Sequence, residues 1–144
     1  MPAALLFRFV TNGSGASDDF VDVTAGVSCR GFEGTTRFTI ARRDLSAFAA
    51  DVAALHRREA DLAQLIGGWD TAEERFRLRV TRAGTTDSCA IRVRVASPGA
   101  RTDQWDRAET QFVCPAAAAT AFADALAAGG GNSVQLVGDA DSTA

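Results

Sequence analysis

Leu5, Phe7 and Phe9 alternate around Arg8, the two-residue period of a strand with one buried face. Residues 11–19 (TNGSGASDD) read as a Gly/Ser/Asp loop with Asn-Gly turn chemistry. Val21, Val23, Ala25, Val27 and Cys29 repeat the period over residues 20–29. Gly31 and Gly34 bracket a turn, and a third strand over 35–40 directs Phe38 and Ile40 inward. Such short connections predict hairpins rather than βαβ crossovers.

The period then lengthens. Leu45, Phe48, Val52 and Leu55 fall at three- and four-residue steps, predicting an amphipathic helix. Asp44 or Ser46 can cap it, and His56, Arg57 and Arg58 suit its C-terminus. Residues 61–66 fit either a short strand or a helical extension, stopped by Gly67-Gly68. The clearest alternation lies at 75–82 (RFRLRVTR), with Phe76, Leu78 and Val80 on one face and Arg75, Arg77 and Arg79 on the other. After a turn at 83–87, Cys89, Ile91, Val93 and Val95 point in while Arg92 and Arg94 point out. A loop over 97–103 precedes a strand over 107–114, with Thr110, Phe112 and Cys114 inward. Pro115 opens an Ala-rich helix over 116–128 that buries Phe122, Ala125 and Leu126. Residues 129–144 begin with three glycines and read as a flexible tail, a short strand over 134–137 being the alternative. The order βββα(β)βββα predicts an α+β fold: a mostly antiparallel sheet of about six strands with two amphipathic helices, in one domain over 1–128. No internal repeat or domain linker is legible.

Parity adds register. Residues directly opposite in an antiparallel pair share a face, so their numbers add to a constant. Strand 75–82 buries even numbers and strand 89–95 odd ones, which sets Arg77 opposite Arg92 or Arg94 with a second Arg–Arg pair beside it. The same reasoning sets Cys89 opposite Cys114, and Arg94 opposite Glu109.

Composition narrows the function classes. A chain of 144 residues, 47% hydrophobic and 23% charged, buries a core without staples. All 15 basic residues are Arg, so every cation is a planar, permanently charged fork. A net charge of −3 gives no bulk attraction to nucleic acid or anionic membranes. Cys29, Cys89 and Cys114 are scattered, and His56 is the single histidine, so neither a disulfide framework nor a zinc site is predicted. No apolar run reaches the roughly 18 residues of a membrane span. The opening residues are too short for a secretory signal, and a reducing cytoplasm is the expected compartment.

Four features bear on function. Arg75, Arg77, Arg79, Arg92 and Arg94 would form a cationic face, either an anion- or nucleic-acid-binding surface or a solvated face relieved by Glu73, Glu74 and Glu109. Nucleic-acid binding also wants exposed aromatics, yet every Phe is expected on a core parity. Two Trp-Asp pairs, Trp69-Asp70 and Trp105-Asp106, precede strands 75–82 and 107–114 at one end of the sheet. They form either a partner-binding rim or a core cap. Acidic loops carry Asp18, Asp19, Asp22 and Asp103, and with Trp69, Asp70, Trp105 and Asp106 these make the candidate partner-binding set. The thiols read as small buried hydrophobes and His56 as a surface or C-cap residue; TNGSG lacks the Lys and the following helix of a phosphate loop. No catalytic residue, metal site or cofactor is predicted.

The stretches 44–55 (DLSAFAADVAAL), 68–82 (GWDTAEERFRLRVTR), 90–95 and 109–126 (ETQFVCPAAAATAFADAL) together give a strand meander, an amphipathic helix, a GW segment, charged alternating strands and a closing helix. In this the chain is similar to the WapI-like immunity family and its uncharacterised relatives, mostly small proteins of high-GC bacteria. The resemblance implies a cytosolic, antitoxin-like role: binding a toxin domain, often a nuclease, and blocking its active site. It carries no catalytic residues. The arginine face departs from it, because a basic nuclease would prefer an acidic patch such as Asp18, Asp19 and Asp22 or Asp103 and Asp106. A homo-oligomeric assembly with the sheet face or edge covered by another copy is a third expectation.

Overall fold

The computed structural model describes residues 2–10, 20–68, 75–84, 87–98, 105–128 and 133–139. Their strands are β1 (Pro2–Val10), β2 (Phe20–Cys29), β3 (Phe32–Ala41), β4 (Ala63–Gly67), β5 (Phe76–Arg82), β6 (Ser88–Pro98), β7 (Trp105–Pro115) and β8 (Ser133–Asp139). Helix α1 (Arg42–His56) follows β3, and α2 (Ala116–Ala127) follows β7. The α+β class is as expected. The sheet has eight strands rather than about six, in the order β3-β2-β1-β8-β7-β6-β5-β4, with every pairing antiparallel. The ambiguous segment 61–66 supplies β4, and residues 133–139 of the expected tail supply β8. The tail expectation fails there because Val134 and Leu136 are buried apolar residues that complete the face beside β1.

Local chemistry accounts for the element boundaries. Arg30 (φ 52°) and Gly31 (φ 77°) both take the left-handed conformation, forming the two-residue hairpin between β2 and β3. Gly34 therefore lies inside β3, opposite Val27, rather than in the turn. Helix α1 starts at Arg42, earlier than a cap at Asp44 or Ser46 requires; its N-cap is Ala41, with Asp44 in the first turn. It ends where Arg58 takes φ 63°, with Arg58 N–H donating to Leu55 O and Glu59 N–H to Ala54 O, the bonding of a Schellman motif. Helix α2 has Pro115 as N-cap and buries Ala119, Phe122, Ala123 and Leu126, while the expected Ala125 is only partly buried.

A repeat that the sequence does not reveal organises the chain. Residues 2–67 run βββαβ (β1, β2, β3, α1, β4), and residues 76–139 run βββαβ again (β5, β6, β7, α2, β8). Each unit gives its last strand away. Strand β4 pairs with β5, the first strand of the second unit, and β8 pairs with β1, the first strand of the first. The two helices bury the same positions: the fourth, seventh, eighth and eleventh residues are Leu45, Phe48, Ala49 and Val52 in α1, and Ala119, Phe122, Ala123 and Leu126 in α2. Each donated strand also meets the third strand of its own unit through a glycine. A Cβ on Gly67 would lie 2.2 Å from the Phe38 ring, and one on Gly138 would lie 2.4 Å from Val113 O and 2.5 Å from the Phe112 ring.

Among the described residues, the halves β3-β2-β1-β8 and β7-β6-β5-β4 pair in register at Val113↔Asp139. The sheet curls enough for non-neighbouring strands to meet. Thr36 Oγ1 donates to Ala96 O at 3.0 Å, and the Arg75 guanidinium donates to Arg37 O at 3.3 Å. Inside the curl Phe7, from β1, packs edge-on against Phe38, Phe76 and Phe122, while Phe38 and Phe76 stack at 5.0 Å. Aromatic contacts at these separations add to the burial of the rings.

Gly67→Ala and Gly138→Ala should each lower the unfolding free energy by about 1–3 kcal/mol, since each forces a methyl into a packed ring or carbonyl. Gly26→Ala, whose added Cβ meets nothing closer than 3.9 Å, should cost little. Urea denaturation of the three variants separates these outcomes.

Candidate interaction surface

Strands β5 and β6 pair as Arg77↔Arg94 and Arg79↔Arg92. Ala96 N–H donates to Arg75 O and Ala83 N–H to Ser88 O, so the pairs 75/96 and 83/88 are hydrogen-bonded. By alternation the two arginine pairs are hydrogen-bonded positions as well, with Cα atoms about 5.5 Å apart. The rungs repeat every two residues, about 6.6 Å along the strands. Strand alternation puts all four side chains on the face opposite the core, because Phe76, Leu78, Val80, Ile91, Val93 and Val95 occupy the other.

The two rungs are electrostatically unequal. On the outer rung Arg79 Nε donates to Gln64 Oε1 at 2.8 Å, and Arg92 donates to Gln111 Oε1 and pairs with Glu109 at 3.2 Å. Glu109 lies in register opposite Arg94, as parity predicts, yet its carboxylate reaches diagonally to Arg92. On the inner rung Arg77 faces Ile66 of β4, which is 45% exposed. Among the described residues Arg94 makes no side-chain hydrogen bond or ion pair. Arg75, the fifth predicted arginine, turns instead to β3 and helps fasten the two halves of the sheet.

The same face of the other half has different chemistry. There β1 and β2 set Ala4 opposite Ser28, Leu6 opposite Gly26 and Arg8 opposite Thr24. Strand β8 presents Ser133, Gln135 and Val137 beside them. No like-charge pair stands among these, so the repeated fold does not require the arginine rungs. Phe20, at the start of β2, is 50% exposed, which corrects the expectation that every Phe faces a core. As the first residue of its strand it pairs with Ala41 on the outward parity. It lies on the half of the sheet that lacks the rungs.

Of the candidate acidic and Trp residues, Asp18, Asp19, Trp69, Asp70 and Asp103 lie outside the described residues. Trp105 and Asp106 begin β7, in register with Pro98 and Ser97. Asp22 lies on β2, where it accepts a 2.6 Å hydrogen bond from Thr39 and stands 3.7 Å from Arg37. Its carboxylate is thus engaged within its own half of the sheet. Alternation in the sequence could not have revealed that partnership, which depends on the β2–β3 register.

Cys89 and Cys114 face each other across β6 and β7, as expected, and both are buried free thiols. Burial pushes the Cys114 thiol up to about 12, and the neighbouring Cys89 adds to the shift. Burial also raises Cys89, against a smaller lowering by the Arg82 guanidinium. Arg82 itself is tied to the end of α1, donating to Leu55 O and Ala60 O and pairing with Asp61 at 3.0 Å. A cavity of about 30 Å³ lies here, lined in part by Leu55, His56, Arg82, Ser88 and Cys89, with room for about one water molecule. Among the described residues no group of three His, Cys, Asp or Glu could hold a metal ion, and no helix is long and apolar enough to cross a membrane. No protein-family model matches the chain, and no curated protein or solved structure matches it.

Two outcomes follow. Replacing Arg94 by Thr removes half of a like-charge rung and keeps strand propensity, so at low salt it should raise stability by roughly 0.2–1 kcal/mol. The gain should vanish near 1 M salt, where screening acts over about 3 Å; denaturation at the two ionic strengths checks it. The thiols work in the opposite direction with pH. They stay protonated in the fold, whereas an unfolded chain ionises them near 9.0. Their contribution is intact below that value and is lost as pH rises toward and through about 12. Unfolding free energy should therefore fall more steeply between about pH 8 and 10.5 in the parent than in Cys114→Ala.

Proposed function

We propose that this chain is a non-enzymatic binding domain whose arginine rungs on β5 and β6 dock an acidic protein partner. The supporting observation is the direct opposition of Arg77 with Arg94 and Arg79 with Arg92, on a face that the other half of the same fold builds without like-charge pairs. Like charges directly opposite one another disfavour the sheet, and anions brought against them relieve that repulsion. Guanidinium forks bind carboxylates in two-point geometry, which favours a charge-complementary partner over an unselective surface.

An acidic protein surface fits better than nucleic acid. Stacking platforms for bases are aromatic, whereas the exposed apolar neighbour of the inner rung is Ile66. The net charge of −3 also opposes long-range attraction to a polyanion, while a local patch can still select a partner. The biological setting we propose is the immunity-type role implied by the WapI-like resemblance, with the toxin domain presenting an acidic face to the rungs. In that setting the rungs, rather than Asp22, make the contact.

Retention on immobilised poly-glutamate, with elution shifted to lower salt by Arg77→Glu/Arg94→Glu, is the expected result. Tighter binding to single-stranded RNA than to poly-glutamate would replace the protein partner with a nucleic acid. The immunity setting is tested by co-expression with the product of the neighbouring reading frame. A toxin encoded there should lose its toxicity with the parent chain and regain it with the double variant, and unrelieved toxicity with the parent chain would remove the immunity role.

A further inference from the structure

The core side of β5, β6 and β7 carries a second arrangement, independent of the arginine rungs. Its last inward row sets Arg82 opposite Cys89 and Cys89 opposite Cys114. The preceding inward residues of β5 are Phe76, Leu78 and Val80, so a guanidinium and two thiols end an otherwise hydrocarbon face.

The hydrogen bonding of β6 with β7 decides how near the two sulfurs stand. Ala116 N–H donates to Asp87 O, and Pro115, which has no N–H to give, stands opposite Ser88. By alternation Cys89 and Cys114 are a hydrogen-bonded pair, with Cα atoms about 5.5 Å apart. Directly opposed Cβ atoms are about 4.5–5.5 Å apart, and hydrogen-bonded pairs occupy the wide end of that range. A disulfide needs its Cβ atoms within about 3.5–4.5 Å, so closing one would require the strands to move together. Two metal–thiolate bonds of about 2.3 Å set end to end place their sulfurs about 4.6 Å apart, which suits the wider gap.

We propose that Cys89 and Cys114 form a two-coordinate site for a soft monovalent cation of the copper(I) class, bridging β6 and β7. Each thiol gives its proton to solvent, and each sulfur then donates an electron pair to the ion. Two thiolates and one monovalent cation carry a single net negative charge, and two features offset it. The Arg82 guanidinium faces Cys89 and favours its thiolate. Helix α2 begins directly after Cys114, with Pro115 as N-cap and no acid in its first turn, so the positive end of the helix lies beside that residue. Cys89 also lines the cavity of about 30 Å³, whose room for about one water molecule is enough for a bare ion.

Ligand number selects the ion. Structural zinc takes four ligands, and among the described residues no group of three His, Cys, Asp or Glu could supply a fuller shell. Thiolate is a soft ligand and favours copper(I). Cys29, the third thiol, is directed instead to Gln111 O at 3.7 Å.

Anaerobic titration of the reduced full chain with copper(I), in competition with a chromophoric copper(I) chelator, should give one ion per chain. Cys89→Ala and Cys114→Ala should each lower the affinity at least about a hundredfold, because the second thiolate binds from within the same molecule. Cys29→Ala should leave it unchanged, and zinc(II) should show no measurable binding. Circular dichroism establishes that each variant is folded. Should a core variant fail to fold, X-ray absorption on copper-loaded Cys29→Ala decides: two sulfur neighbours support the site, and fewer overturn it. Copper(I) affinity that survives loss of Cys89 or Cys114, or that falls equally in Cys29→Ala, also overturns it. Complete conversion of the folded parent to a Cys89–Cys114 disulfide by diamide, mapped by mass spectrometry, would put the sulfurs within bonding distance and remove the bridge.

Discussion

Each four-stranded half of the sheet is completed by a strand that belongs, in chain order, to the other half. Without β8 the first strand β1 would expose an edge and part of the face that Leu5 and Phe7 bury; without β4 the same would hold for β5. Both exchanges require a helix to cross the interior first, so α1 and α2 pack where the two paths meet. The glycines at the ends of the donated strands follow from the same requirement. Gly67 and Gly138 let those strands settle against Phe38 and Phe112 at distances no side chain would allow. The Phe7–Phe38–Phe76 contacts then join residues of both units in one core.

This duplicated plan provides an internal comparison for the surface. The two units share strand order, helix burial and glycine contacts, yet only the second opposes arginine with arginine. Burial alone cannot explain the difference, because both outer faces stand over equally buried inner faces. Glu109 offsets part of the repulsion as a half-exposed ion pair, a contribution of about 0–1 kcal/mol. The remaining charge is a feature of the surface rather than a device that holds the domain together. Arg75 and Arg82 show the other use of the same residue type, since each ties separate elements by donating to backbone carbonyls.

Much of this was readable from alternation alone, for a definite reason. A strand buried on one face fixes the parity of every residue, and parity restricts register to a few choices. Cys89 opposite Cys114, Arg94 opposite Glu109 and the two arginine pairs all follow from it. Alternation says nothing about which distant strand lies alongside. Ser133–Asp139 carries the period-two pattern, but behind a glycine run and with its partner β1 at the opposite end of the sequence it resembles a tail. The repeat is not legible in the sequence because its units agree in topology and helix burial while their strand residues differ. For the candidate site the arginines were legible as an outward stripe. The engagement of Asp22 by Thr39 and Arg37 and the turning of Arg75 to β3 depend on side-chain reach across the folded sheet.

The pairing of β1 with β8 also sets a timetable for a growing chain. Pro2–Val10 leaves the ribosome well before the strand it needs, Ser133–Asp139, which is made more than a hundred residues later. Translation proceeds at roughly 5–20 residues per second, so one edge of β1 waits for seconds with its backbone groups unpaired. An open apolar edge recruits other strands, including those of neighbouring nascent chains. The hairpin partner β2 covers the opposite edge early, through a two-residue turn that closes locally. Completion of the first half of the sheet is thereby deferred until β8 itself has been made, and the growing chain is most vulnerable to aggregation during that interval.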